Sequence, residues 1–450
     1  MTFASLVAKA PRPALALLGL GLGLAGCQAN IDAPTASPGP LDFTSYVAVG
    51  NSLTAGYSDN GLYNEAQATS YPALLAQQFG ATGKGPASFV QPAFSTAKKD
   101  GSSYIKLQIV NGALAPVQPS AANSFLGEQV AFTGNALLGG PQLEAYTGAQ
   151  PDNLGVPGIS VLSSVSALTG GLAPYGVINP FYERLLTAAE KPTKDYVTYI
   201  GQKSPTFFTC WMGNNDVLAY ATAGGVVAPT NPFGGLTDTT RFGMGYRAIL
   251  GTISKNGTVK GAVANIPNVA SVPFFTTVTV AAVAAAFKAA NSASPGLFIQ
   301  TSSTTAPVRL ATSADLLLLT AQGVVATGAG STPTNPLPNQ YVLDSDEQAA
   351  VLARTTQLNA IIAKTALRFK VPVADMNLFF NNIARTGVAT NAVNNNVAFA
   401  SGNIFGLDGV HPTPRGYAIV ANEWIRVINA YYGSSVPSVD PNAYRAVLFP

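Results

Sequence analysis

One histidine and two cysteines are all that 450 residues contain of those types, and only 10% of the chain is charged. A single histidine excludes an HExxH zinc site, and two cysteines make neither a zinc finger nor a disulfide framework. An average soluble domain carries roughly 25% charged residues, so this chain is poor in charge of either sign. Its formal charge is +3, from 24 basic and 21 acidic residues, and no basic stripe runs through it, which argues against nucleic acid as a partner. What is plentiful is apolar surface: 47% of the residues, enough for a large core and against wholesale disorder. The length suits one large domain or two to three ordinary ones.

The N-terminal region reads as an address. Lys9 and Arg12 precede an apolar run over 13–24 that ends in Leu24-Ala25-Gly26-Cys27. A basic start, a short apolar stretch and small residues before a cleavage point describe a secretory signal over 1–26. The run is shorter than the roughly 20 residues a spanning helix needs. Gly21-Leu-Gly23-Leu-Ala-Gly26 matches GxGxxG letter for letter, yet no strand precedes it and no βαβ unit surrounds it, so it is no nucleotide site. Residues 27–41, with Pro34, Pro38 and Pro40 among small polar residues, read as an extended tether. The cysteine after Leu-Ala-Gly resembles a bacterial lipobox. That resemblance implies that Cys27 is lipidated, that two or three acyl chains anchor the protein to a membrane, and that it sits in the bacterial cell envelope, at the outer membrane or a periplasm-facing surface. Cys210, the other cysteine, lies in an apolar strand where packing is its expected role.

The body alternates strands with helices. Residues 46–49 form a short apolar run typical of a buried parallel strand, followed by a helix over 71–79. Further strands are expected over 206–212, 259–266 and 371–374, and helices over 217–221, 345–370 and 416–431. In the longest helix, Asp344 stands three residues before Glu347, a capping-box spacing, and Val351, Leu358, Ile362 and Phe369 share one face. This order predicts an α/β domain with a parallel sheet and helices on both faces, spanning about 42–434, with a tail over 435–450. Stretches at about 83–150 and 270–340 fit the rhythm poorly and read as insertions. The Ala-rich run 278–290, interrupted by Lys288, is expected to be a buried helix.

Four polar clusters could carry chemistry. Sites of open α/β sheets lie beyond the carboxyl ends of the strands. Ser52, after the first strand, is taken alone most simply a helix cap; it is equally placed for a nucleophile at a strand-to-helix turn. Gly158 alone is a turn glycine after proline, or a backbone N–H open to a substrate oxygen. Asn215, in Gly213-Asn-Asn-Asp216, is a cap or an amide donor. The fourth cluster, Asp408-Gly-Val-His411-Pro412, holds the one histidine. Any mechanism that needs an imidazole base must use it, and an aspartate three residues earlier can fold back onto Nδ1–H.

Together, in this order, the four resemble the blocks of the SGNH hydrolase superfamily, also called GDSL esterases/lipases: Gly50-Asn51-Ser52-Leu53, Gly158, Gly213-Asn214-Asn215-Asp216 and Asp408-Gly-Val-His411-Pro-Thr. The resemblance covers the core from about 42 to 430, outside the two insertions. It implies a three-layer α/β/α sandwich with a mainly parallel, flavodoxin-like sheet. It implies Ser52 as nucleophile, His411 as general base and Asp408 as its orienting partner. It also implies an oxyanion hole of the Ser52 and Gly158 N–H groups and the Asn215 amide, with an ester as substrate and no metal or organic cofactor. The family's first block usually reads Gly-Asp-Ser-Leu, and here Asn51 replaces the aspartate. No Gly-x-Ser-x-Gly elbow occurs, against the other common serine-esterase fold. Phe274 and Phe275 are candidates for an acyl pocket or for plain core. The competing function is a surface binding or adhesion lipoprotein that keeps the scaffold without turnover, and the Ser52–His411 separation divides the two.

Overall fold

The computed structural model describes residues 35–450 except 111, 118–128, 136–140, 171–178, 192 and 230. The signal segment and Cys27 lie outside the described residues.

Four parallel strands make the central sheet in the order β1 (Tyr46–Gly50), β2 (Phe207–Trp211), β3 (Lys260–Ala264) and β4 (Val373–Ala374). Every residue of β1 and β2 is buried, which is why both read as apolar runs, broken only by Thr209, whose hydroxyl bonds the Tyr46 hydroxyl (2.7 Å); a sheet covered on both faces has no polar side to alternate with. Residues 152–156 run parallel to β1 along its other edge. The Ala48 N–H donates to Asp152 O (2.9 Å), Leu154 N–H to Ala48 O (2.8 Å) and Val156 N–H to Gly50 O (3.0 Å). The strand ends at Gly50 and Trp211 are in register, so the segments after them emerge side by side at one edge of the sheet.

Among the described residues, the helices that frame this sheet include α1 (Ser52–Ala55), α2 (Tyr71–Gly80), α3 (Val161–Ser164), α4 (Asn215–Thr222), α5 (Thr239–Ile253), α6 (Ser345–Phe369) and α7 (Pro414–Tyr432). On one face α2 packs with α7, where Tyr71 stacks on Trp424 at 5.4 Å and both rings meet Trp211 edge-on. Such aromatic pairs add about 0.5–1.5 kcal/mol each beyond the area they bury. The other layer joins α5 to α6 and α3, and α6 to α4. The molecule is a three-layer α/β/α sandwich. Helix α6 begins where its capping box predicts. Asp344 accepts from the Asp346 and Glu347 N–H groups, and Glu347 accepts from the Asp344 N–H, each at 3.0 Å. Val351, Leu358 and Ile362 are buried on its inner face.

Both irregular stretches are built onto this core. In the first, two antiparallel hairpins flank a small cluster of Ala55, Leu62, Phe94, Ala131 and Leu143. Buried Arg184 pins it, donating to the carbonyls of Pro92 (2.9 Å), Ala93 (3.3 Å) and Glu144 (2.9 Å) beneath the Phe94 ring. The second has its own apolar cluster, including Leu297, Ile299, Leu317 and Leu337.

Two expectations are corrected, and the C-terminal tail is found on the body. The helix in the Ala-rich run, Val280–Ala290, exposes most of its length and buries only Val283; alanine favours helix without demanding burial. Residues 36–41, read as the end of the tether, belong to the folded body: Ser37 and Ser435 exchange backbone bonds (3.2 and 2.8 Å) and Leu41 is buried. The C-terminal tail is likewise packed, burying Val436, Val439 and Val447, because Asn422 and Asn429 of α7 bond its backbone.

Candidate active site

The first strand delivers Ser52. Asn51 leaves β1 and caps α1, its side-chain oxygen accepting the Leu53 N–H at 3.0 Å. Ser52 opens that helix, where no preceding turn offers its N–H a carbonyl. The cap thus belongs to Asn51, and the Ser52 hydroxyl is left for another partner. Asn51 is buried and its amide nitrogen has no partner, so the residue keeps the capping role an aspartate would fill without bringing charge beside Ser52.

The chain brings His411 to Ser52 across 359 residues. Residues 404–413 fold back on themselves before α7, with the Gly406 N–H on His411 O (2.8 Å) and the Thr413 N–H on Ile404 O (2.8 Å). His411 Nε2 lies 2.8 Å from Ser52 Oγ, and Nδ1 lies 2.8 Å from Asp408 Oδ2. Burial would push the Asp408 carboxyl up, but the neighbouring His411 and the His411 and Val410 N–H groups outweigh it and hold it below the usual carboxylate range. An ionised Asp408 keeps the proton on Nδ1, so the Ser52 hydroxyl donates to Nε2. That is the 2.8 Å contact on which the catalytic and binding-only readings divide.

A further set of residues, which no motif in the sequence announces, steadies this histidine. Ser58-Asp59-Asn60-Gly61 is a two-residue hairpin turn with both central residues left-handed (φ 51° and 61°) and paired Ser58–Gly61 backbone bonds of 2.9 Å. Asp and Asn tolerate that conformation better than most residues. The turn presents the Asn60 N–H to Asp408 Oδ2 (2.8 Å), and buried Asp59 accepts the Leu407 N–H (2.8 Å). Tyr57 lies against the imidazole, ring centroids 4.7 Å apart, with its hydroxyl donating to Asn60 O at 2.8 Å. The only local signal is an Asx-rich turn, and its partners lie 348 residues away.

Opposite His411 are the donor groups. Val156-Pro157-Gly158-Ile159 makes a turn closed by the Ile159 N–H on Val156 O (3.2 Å), with Gly158 at φ +78°. Proline then a positive-φ residue is the type II pattern. A Cβ at 158 would meet only Asn179 Nδ2 at 3.5 Å, so glycine is demanded there by the backbone and not by crowding. Asn215, the first residue of α4, donates one amide hydrogen to Ile159 O (2.8 Å), which leaves the second for the cleft. Asp216 beside it is fully buried and accepts the Val161 and Leu162 N–H groups (2.8 and 3.3 Å). Its carboxyl is pushed up to about 6 by burial, against those hydrogen bonds. Through Asn215 and Asp216 one helix end ties down the turn that carries Gly158.

Ser52, His411, Gly158 and Asn215 all line one cleft of about 400 Å³. Phe274 and Phe275 do not line it. Phe275 is core, and Phe274 donates its N–H to Gly409 O (2.9 Å), bracing the Asp408–His411 turn. A hydroxyl on an imidazole, an imidazole on a carboxylate and amide donors beside them are what acyl transfer uses.

No curated protein matches the sequence. Among solved structures it is similar to an extracellular lipase from Streptomyces rimosus, with 12% identity, a TM-score of 0.31, and 86% of this chain and 99% of the lipase covered. The family model described as GDSL-like Lipase/Acylhydrolase matches residues 46–424. That span reaches from the first strand of the sheet into the last helix and includes all four clusters, so the chain belongs to the GDSL-like lipase/acylhydrolase family and is an ester hydrolase of the SGNH type.

Proposed function

We propose that this hydrolase cleaves carboxylic esters through an acyl-enzyme on Ser52 and works at the bacterial cell envelope, anchored through lipidated Cys27. The observation that carries the catalytic part is the unbroken chain Ser52 Oγ–His411 Nε2 and His411 Nδ1–Asp408 Oδ2, both 2.8 Å. In the first half-reaction His411 takes the hydroxyl proton as Ser52 Oγ attacks the ester carbonyl carbon. The negative carbonyl oxygen is held by the Ser52 and Gly158 N–H groups and the Asn215 amide. His411 then gives the proton to the departing alcohol oxygen as the C–O bond breaks. In the second half-reaction water attacks the acyl-enzyme, loses its proton to the same nitrogen, and the acid leaves as Ser52 recovers its hydrogen. Asp408 stays ionised throughout and stabilises the imidazolium. One such oxyanion donor contributes about 10²–10³ in kcat.

A fluorophosphonate tests the nucleophile directly: one adduct is expected, mapping to Ser52 by mass spectrometry and absent from Ser52→Ala. An adduct on another residue, or none, contradicts it. The anchor rests on Lys9, Arg12, the apolar run 13–24 and Leu24-Ala-Gly-Cys27. In bacteria fed an alkyne fatty acid, Cys27→Ala is expected to lose the label and leave the membrane fraction. A label that survives the substitution contradicts lipidation there.

A further inference from the structure

Two cavities of different size and character meet at Ser52 and His411. The larger is the cleft of about 400 Å³, and its described lining holds no aspartate, glutamate, lysine or arginine. The smaller, of about 40 Å³, shares Ser52, Asn215, Leu218 and His411 with it and is otherwise lined by Asn214 and the apolar Leu53, Pro267, Val269, Val272 and Val410. Val269 and Val272 are buried and belong to the main apolar core, so the core itself sets the depth of this pocket.

An ester has two sides, and the two half-reactions treat them differently. The acyl group stays through both, while the alcohol leaves and water must take its place beside His411 Nε2. The side that empties has to be the wide one that water can enter, and the side that remains occupied can be closed and dry. About 10–15 Å³ is the least such volume that admits one water, so 40 Å³ has room for only a few heavy atoms. Building on the reading of Ser52 as nucleophile, we propose that the small pocket holds the acyl chain and limits it to about two to four carbons, and that the broad cleft receives a bulky, uncharged alcohol. The protein is then a short-chain acyl esterase, and its core valines set the limit.

The test uses the intact chain in detergent with p-nitrophenyl acetate, butyrate, hexanoate and octanoate, beside Ser52→Ala. kcat/KM is expected to be highest at acetate or butyrate and at least about tenfold lower at octanoate. In Val269→Ala and Val272→Ala the optimum moves to a longer chain, with hexanoate gaining on acetate. Should either variant fold poorly, the unmodified protein still decides: an ethylphosphonate probe should label Ser52 at least about tenfold faster than a decylphosphonate carrying the same leaving group. Ser52-dependent turnover that is flat or rising toward octanoate overturns the acyl pocket and leaves the serine mechanism standing. Absence of both turnover and Ser52 labelling overturns the two together.

Discussion

At His411 the two ring nitrogens face different partners, and the order of protons along the chain depends on Asp408. The carboxylate accepts from Nδ1–H and from the N–H groups of Asn60, Val410 and His411. Replacing it by asparagine supplies an N–H where only acceptors serve, so the imidazole can place its proton on Nε2 and lose the lone pair that receives the Ser52 hydrogen. Asp408→Asn is therefore expected to lower kcat by about 10³–10⁴ with an unchanged circular dichroism spectrum. A loss under tenfold would show that the carboxylate does not fix the tautomer. Asn51 acts at the same scale, its side-chain oxygen capping the helix that Ser52 opens.

At the scale of elements, the start of α4 is where fold and site are joined. Asp216 ties that helix to the N–H groups of Val161 and Leu162, and burial lifts its carboxyl to about 6, above the about 3.9 of an unfolded chain. The folded protein therefore holds this proton more tightly than the unfolded one. The resulting stabilisation is complete below about pH 4 and lost as the pH rises through about 6. Measured against Asp216→Asn, the stability of the unmodified protein should fall by about 2–3 kcal/mol between pH 4 and 7. Urea unfolding at the two pH values checks it, and a pH-independent difference would contradict it.

The elements that can be read in the sequence are those whose signals are local. β1 is an apolar run and β2 is one but for Thr209, and α6 announces itself by its capping box. Helix α5, 15 residues long, is hidden because Gly243, Gly245 and Gly251 interrupt it and glycine is a poor helix former. The structure explains Gly245: a Cβ there would lie 2.8 Å from Val161 Cγ1, so the residue that hides the helix lets α3 approach it. Ser52, Gly158, Asn215, Asp408 and His411 are legible because one histidine and four short motifs narrow the choice. Asp59, Asn60 and Asp216 acquire their roles only from partners far along the chain.

For the molecule as a whole, the sheet positions the proposed catalytic groups, and side-chain bonds to the backbone fasten the first insertion to the body. Arg184 is one fastening, beside the bonds of Asn64 with Phe94 and of Leu62 with Ser102. Its guanidinium is buried and shifted down to about 10 by that burial, so it remains charged at neutral pH and serves three carbonyls. Arg184→Leu leaves those acceptors without their donor and is expected to cost at least about 2 kcal/mol. Limited proteolysis within 83–150 should also become faster. Unchanged unfolding and unchanged cleavage would contradict the role.

The claim on which the rest depends is that Ser52 and His411 act as one unit. Hydrolysis of p-nitrophenyl acetate by the intact protein, Ser52→Ala and His411→Ala, measured side by side, tests it most directly. Turnover by the first and a loss of about 10⁴-fold or more in each variant are expected, with folding retained. Turnover that survives Ser52→Ala, or a protein inert toward every ester in its unmodified form, would contradict it.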